Sequence, residues 1–297
     1  MLVTMKEILD RAAAGNYGVA APNIVSEFDA RAYIEVAEDL RSPLIIDVFY
    51  AAHPDIFALG RIVRELAEQS TVPVCLNQDH GAGKDTILKC MQAGFTSVMI
   101  DRSSLDYETN VRETREIVEI AHALGITVEA ELGHVGQAAN TEIDTKSALT
   151  VPEEAKRFID ETGVDCLAVA IGTAHGAYPK GFTPHLDFDR LAAIKEAVGQ
   201  DYPLVLHGSS GMDNESLAKA CHMGINKVNI ATEMYEAAIE ASEGLLQGKA
   251  KGRYWRIIKT ALQKRLAEKI KVYGSDGKAW DVAASGLPHK PIDLEEK

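Results

Sequence analysis

Short apolar runs rich in β-branched residues recur along this chain, separated by amphipathic stretches, and that alternation leaves few folds open. The runs are YGVAAPN near 17–23, SPLIIDVF near 42–49, VPVCLNQDH at 72–80, TSVMID at 96–101, GITVEAEL at 125–132, VDCLAVAIGTAH at 164–175, YPLVLHG at 202–208 and INKVNIA at 225–231. Helical spacing fills the intervals, from Glu27 to Leu40, Gly60 to Ser70, Lys84 to Ala93, Leu105 to Leu124, Pro152 to Thr162, Asp187 to Val198 and Asn214 to Met223. Repeated βα units imply a parallel sheet. Eight strand candidates favour an α/β fold of the closed (β/α)8 TIM barrel type over an open doubly wound sheet, and no GxGxxG follows the first strand. The chain, 297 residues long, suffices for one such barrel, so 1–297 is expected to be a single domain. Two segments exceed the minimal barrel: the polar stretch 134–150 after the fifth run, and a helical C-terminal extension over about 233–297, in which RYWRIIKTALQKRLAEKIKVYG ends at Gly274.

The formal net charge of −13 argues against a nucleic-acid surface, which needs concentrated positive charge. The N-terminal MLVTMKEILDRAAAGNYG reads as an amphipathic helix, and no run of about 18 apolar residues is present, so membrane insertion is not expected. Cys75, Cys90, Cys166 and Cys221 show no CxxC spacing, and Cys75 and Cys166 sit inside apolar runs, as free thiols in a reduced, cytoplasmic setting do.

Barrel enzymes place reactive groups where strands end. His80, His175 and His207 each end a run and are each followed by glycine. Three imidazoles converging from separate strands form the ligand set of an open catalytic zinc site, with a fourth position left for substrate or water. His134, at another strand end, is a rival ligand; His53, His122, His185, His222 and His289 fall on helices or loops. Asp79 beside His80, Asp101 ending the fourth run and Glu131 ending the fifth supply acids at the same rim, for proton transfer or for orienting ligands. Glu129 shares the strand face of Glu131, and interior polarity alone accounts for one of the pair. An anion site is suggested by GSSG at 208–211 after the seventh run and by Asn229 to Thr232 after the eighth.

Together these residues resemble the class II fructose-bisphosphate and tagatose-bisphosphate aldolase family, through GVAAPN, LRSP, LNQDHG, VMID, EAELG, LAVAIGTAHGAY, LHGSSG, VNIATE and a terminal KI.VYGS.GKA pattern. The resemblance implies that His80, His175 and His207 bind catalytic zinc and that Asp79 exchanges a proton with the hydroxyl at the cleaved bond. It implies that Gly176, Gly208, Ser210 and Thr232 hold the phosphate of dihydroxyacetone phosphate and that Asn229 contacts the enediolate. Asp101 and Glu131 match acids that support the ligands or an auxiliary metal. Arg253 matches an arginine that reaches the far end of the substrate from a neighbouring subunit.

The chain departs from the family pattern in the loop after strand five, where GQAANTEIDT replaces Gly-Gly-x-Glu-Asp and puts Ala139 at the expected acid position. Glu142 is the nearest substitute and Asp144 the next. Ala231 stands where fructose-bisphosphate specialists often have Asp, and the first βα loop is reduced to Ser26-Glu27-Phe28. The expectation is therefore a zinc-dependent ketose-phosphate aldolase, with another divalent metal or an added monovalent cation as cofactor alternatives. A small phosphorylated sugar is the expected substrate and a homodimer or homotetramer the expected assembly. A zinc hydrolase and a catalytically silent metal-binding barrel are the competing readings. A class I mechanism is disfavoured because Lys227 is the only lysine inside a strand-like run.

Overall fold

The computed structural model describes residues 1–81, 83–136, 149–176, 178, 184–246 and 254–281. Eight parallel strands form one sheet: β1 (Val19–Pro22), β2 (Leu44–Phe49), β3 (Val74–Gly81), β4 (Ser97–Ile100), β5 (Thr127–Leu132), β6 (Cys166–Val169), β7 (Leu204–Leu206) and β8 (Ile225–Ile230). Sequential neighbours pair from β2 through β8, and β8 returns to β1. A bridge between Asn23 and Asp47, with Ile24 N–H donating to Asp47 O at 2.9 Å, closes the remaining gap between β1 and β2. This is a (β/α)8 barrel, as the alternation of apolar runs and amphipathic stretches predicts.

The strands alternate with α2 (Glu27–Asp39), α3 (Ile56–Gln69), α4 (Lys84–Gln92), α5 (Tyr107–Ala123), α6 (Pro152–Thr162), α7 (Phe188–Val198), α8 (Asn214–His222) and α9 (Thr232–Leu246). Asp55, Asp106, Asp187 and Asp213 cap their helices by accepting a backbone N–H with the side chain. The C-terminal stretch thus divides: α9 is the barrel's own eighth helix, and α10 (Tyr254–Tyr273) is the addition, ending at Gly274 with φ 79°.

One core lies between the sheet and the helices, built from outward-facing residues such as Leu44, Leu76, Val98, Leu167 and Leu204. A second fills the barrel's lower interior, where Val19, Ile45, Cys75, Met99, Cys166 and Val205 meet Met5, Ile8 and Leu9 of α1 (Met5–Gly15). The helix plugs the N-terminal end of the barrel. Above that layer the interior turns polar: Asp47, Asn77, Glu129 and Lys227 are wholly buried. The site stands on this polar layer.

Candidate active site

At the end of β3 the sequence Asp79-His80-Gly81 turns the chain sharply. His80 has φ 47°, a left-handed conformation that non-glycine residues rarely adopt and that clusters at functional sites. Gly81 follows because a Cβ there would come within 2.5 Å of Met99 O on β4. His207 is the first residue after β7, fully buried, its carbonyl accepting from Thr173 Oγ1 at 2.7 Å. His175 lies farther from its strand than the apolar run implied, in the loop beyond β6, where its backbone N–H donates to Gly136 O at 2.7 Å.

The three rings meet nearly edge to face, with centroids 5.0 Å apart for His80 and His175, 4.7 Å for His80 and His207, and 5.6 Å for His175 and His207. One nitrogen from each, with a carboxylate oxygen of Glu131, fall within 4.8 Å of one another. Partners on the far side of two rings fix their tautomers. His80 Nδ1 is 2.9 Å from Asp101 Oδ2, and His207 Nε2 is 2.9 Å from Glu129 Oε1, so each of these nitrogens carries the hydrogen. The inner nitrogens, His80 Nε2 and His207 Nδ1, face each other at 3.0 Å, close enough to share a proton or, once that proton is displaced, to offer two lone pairs to one cation. Glu131 Oε2 is buried without a hydrogen-bond partner. These residues fit a divalent metal. His134 is not in this cluster and instead meets Ser103 Oγ at 3.0 Å.

Burial and charge set the protonation of the group. Burial opposes a charge on His80, but Asp79 and the hydrogen-bonded Asp101 prevail and raise its pKa to about 10. Burial and the two neighbouring imidazoles push His175 down to about 3. Burial lifts Glu131 to about 8, helped by the negative Asp101. Asp79 goes the other way: burial alone would raise it, yet the positive charges of His80 and Lys227 hold it well below the usual carboxylate range. Asn23 Nδ2 donates to Asp79 Oδ2 at 2.9 Å and Asn229 Nδ2 to Oδ1 at 3.0 Å, leaving the carboxylate ionised and fixed.

Asp79, the three histidines, Gly176, Gly208, Ser210, Asn229 and Thr232 line one cavity at the C-terminal mouth of the barrel, with Asn23, Ser209 and Ala231. Gly208 has φ 66°, and a Cβ on it would stand 2.5 Å from Ala174 O, so only glycine lets the loops after β6 and β7 close on each other. Ser209 Oγ donates to Asn229 O at 2.6 Å, and Ser210 Oγ accepts from Glu233 N at 3.4 Å at the start of α9. Glu142, Asp144 and Arg253 lie outside the described residues.

Residues 3–278 match the family model for class-II fructose-bisphosphate aldolase. The chain belongs to that family. A fructose-bisphosphate aldolase of Thermus caldophilus is 40% identical over 307 aligned residues, covering 94% of this chain and all (100%) of the relative. The crystal structure of the YdjI aldolase from Escherichia coli K12 is similar at 35% identity with a TM-score of 0.85, covering 94% of this chain and 100% of that one. The fructose-bisphosphate aldolase of Campylobacter jejuni shares the fold at 23% identity and a TM-score of 0.77, over 93% of this chain and 97% of its own. This chain is therefore an aldolase, a carbon–carbon lyase of a metal-dependent family that acts on phosphorylated sugars. Among the described residues no helix is long and apolar enough to cross a membrane.

Sequence reading gave this aldolase's Asn23 no role, named Ser209 only as part of the GSSG stretch, and left Glu129 open between structural and functional parts. The usable signal was period two: Asn77 with Asp79, Glu129 with Glu131, and Lys227 with Asn229 are polar pairs two residues apart in strands, so each pair points into the barrel.

Proposed function

We propose that this aldolase uses zinc to cleave a ketose phosphate reversibly into dihydroxyacetone phosphate and an aldehyde, with His80, His175 and His207 as the residues that would hold the metal. The observation that carries this reading is the convergence of those imidazoles, the Asp79 carboxylate and the turn of Gly208, Ser209 and Ser210 on one cavity. When bound, zinc supplies Lewis-acid stabilisation of the negative charge that develops beside the substrate carbonyl. Asp101 and Glu131 flank that position, the former orienting His80.

Asp79 takes the proton from the hydroxyl on the carbon that becomes the aldehyde, and the carbon–carbon bond breaks with its electron pair retained on the donor carbon. Glu142 returns a proton to that carbon. Asn229 donates toward the oxygen on which charge builds. Gly176, Gly208, Ser210 and Thr232 hold the phosphate, aided by backbone N–H groups at the start of α9. Ala231 lines the cavity without a charge, which supports an aldehyde half other than that of fructose bisphosphate.

The chain acts as a homodimer or homotetramer, in which Arg253 reaches the substrate of a neighbouring subunit. An exposed stack of Phe28 on Trp255, centroids 4.3 Å apart and planes 10° apart, supports self-association. Four buried free cysteines suit a cytoplasmic setting.

The test is a coupled assay with dihydroxyacetone phosphate and a panel of phosphorylated, unphosphorylated and carboxylated aldehydes, before and after chelation. Zinc should restore turnover to demetallated protein, and borohydride should trap no adduct. Asp79→Ala should retain zinc and lose cleavage by about 10²–10⁴-fold while donor-carbon proton exchange survives better. Full activity in protein shown by elemental analysis to be metal-free would sink the reading.

A further inference from the structure

Lys227 is an ammonium buried at the centre of the barrel, and no step above uses it. Its Nζ lies 3.1 Å from Asp47 Oδ2 and 3.0 Å from Glu129 Oε2, and it donates to Asn229 Oδ1 at 2.6 Å. Burying such a charge costs several kcal/mol unless it is paired, so the two carboxylates explain how Lys227 persists there but not what it does. Burial works against its charge, and Asp47 and Glu129 outweigh burial, so the group stays protonated.

An ammonium only donates hydrogen bonds, whereas an amide donates from one end and accepts at the other. With Oδ1 drawn to Lys227, the amide of Asn229 has to turn Nδ2 the opposite way, and Nδ2 then meets Asp79 Oδ1 at 3.0 Å. Reversing the amide would set N–H against ammonium and a carbonyl oxygen against carboxylate, two repulsions in a buried setting. Asp79 Oδ2 is already held by Asn23. Loss of the correct amide orientation would therefore free one side of the carboxylate.

We propose that Lys227 is a positioning residue that fixes the amide orientation of Asn229 and, through that amide, the carboxylate of Asp79. This rests on the roles proposed above for Asp79 and Asn229. Lys227→Met removes the donor while keeping an unbranched side chain. It should lower kcat for cleavage by about 10²-fold, the scale of a misplaced reacting group, with little change in KM and with zinc content intact. A double-mutant cycle supplies the readout that a merely structural lysine would not move: Lys227→Met combined with Asn229→Ala should be no slower than Asn229→Ala alone. Losses that multiply would overturn the proposal.

Because Lys227→Met leaves two buried carboxylates short of a cation, the cycle is also run with Asp47→Asn, which lowers the uncompensated charge. Wild-type kcat in Lys227→Met/Asp47→Asn would overturn the proposal too. Neutron diffraction on the deuterated wild-type protein needs no variant: the deuterium-bearing amide nitrogen of Asn229 should lie on the Asp79 side with one deuteron directed at Oδ1, and an amide nitrogen on the Lys227 side would refute the assignment. Unchanged activity of Asn229→Ala would instead overturn the role proposed for Asn229, a result separable from the neutron one.

Discussion

His207 shows how one side chain is made usable by its partners. Glu129 accepts from Nε2 at 2.9 Å and thereby leaves Nδ1 as a lone pair on the cavity side. Both residues are fully buried, so no water substitutes for either partner. Glu129→Gln keeps the shape but removes the charge that favours this tautomer and offers Lys227 only a neutral acceptor. Zinc affinity, measured by competition with a chromophoric chelator, should fall by about 10–100-fold, the usual cost of losing a partner that orients a ligand. An affinity equal to wild type would show that His207 needs no such support.

Among the elements, α7 carries a charge whose cost can be read from pH. Lys195 is 3% exposed, and its Nζ donates to Gln200 O and Tyr202 O at 2.7 Å each, tying the end of the helix to the turn before β7. Burial lowers its pKa from 10.5 to about 8, against the pull of Asp201. A lysine whose folded pKa is depressed penalises the folded state fully below about pH 8. Between about pH 8 and 10.5 the unfolded chain binds the extra proton, so stability rises with pH in that window. Relative to Lys195→Met, the wild-type protein should therefore gain about 3 kcal/mol of unfolding free energy across it. Urea denaturation of both proteins at intervals from pH 7.5 to 10.5 checks this; parallel curves would mean that Lys195 is uncharged, or uncoupled from folding, throughout.

For the whole molecule, the exposed aromatics are the feature that a solitary barrel leaves unexplained. Phe28 in the first turn of α2 and Trp255 in the first turn of α10 bury one another's faces yet remain 42% and 39% exposed, beside Tyr254 at 44%. Aromatic anchors of this kind carry much of an interface's energy. If the chain self-associates through them, Trp255→Ala should weaken association by about 2 kcal/mol, roughly 30-fold in Kd. Sedimentation velocity over a concentration series reads this directly. A monomeric wild-type protein, or a variant that associates equally well, would place the interface elsewhere.

The sequence alone determined the barrel and much of its mouth. Period-two apolar runs separated by amphipathic helices allow little else, and His-Gly pairs at the ends of three runs exposed the imidazoles because barrel strands all point their C-terminal ends to one face. Asp79 was legible through its place beside His80. Which polar groups touch was decided by tertiary structure. Asn23 and Asp79 are 56 residues apart, Asn229 and Asp79 150, and His207 and Glu129 78, so only closure of the sheet brings them within hydrogen-bonding distance. In sequence, Glu129 belonged to a pair of which one could serve only interior polarity, and Lys227 stood out only as a lysine inside a strand-like run. Their meaning comes from the directions of the atoms around them, which a strand pattern does not specify: an ammonium that can only donate, an amide with two unlike ends, and an imidazole whose tautomer is set by whichever nitrogen finds a carboxylate.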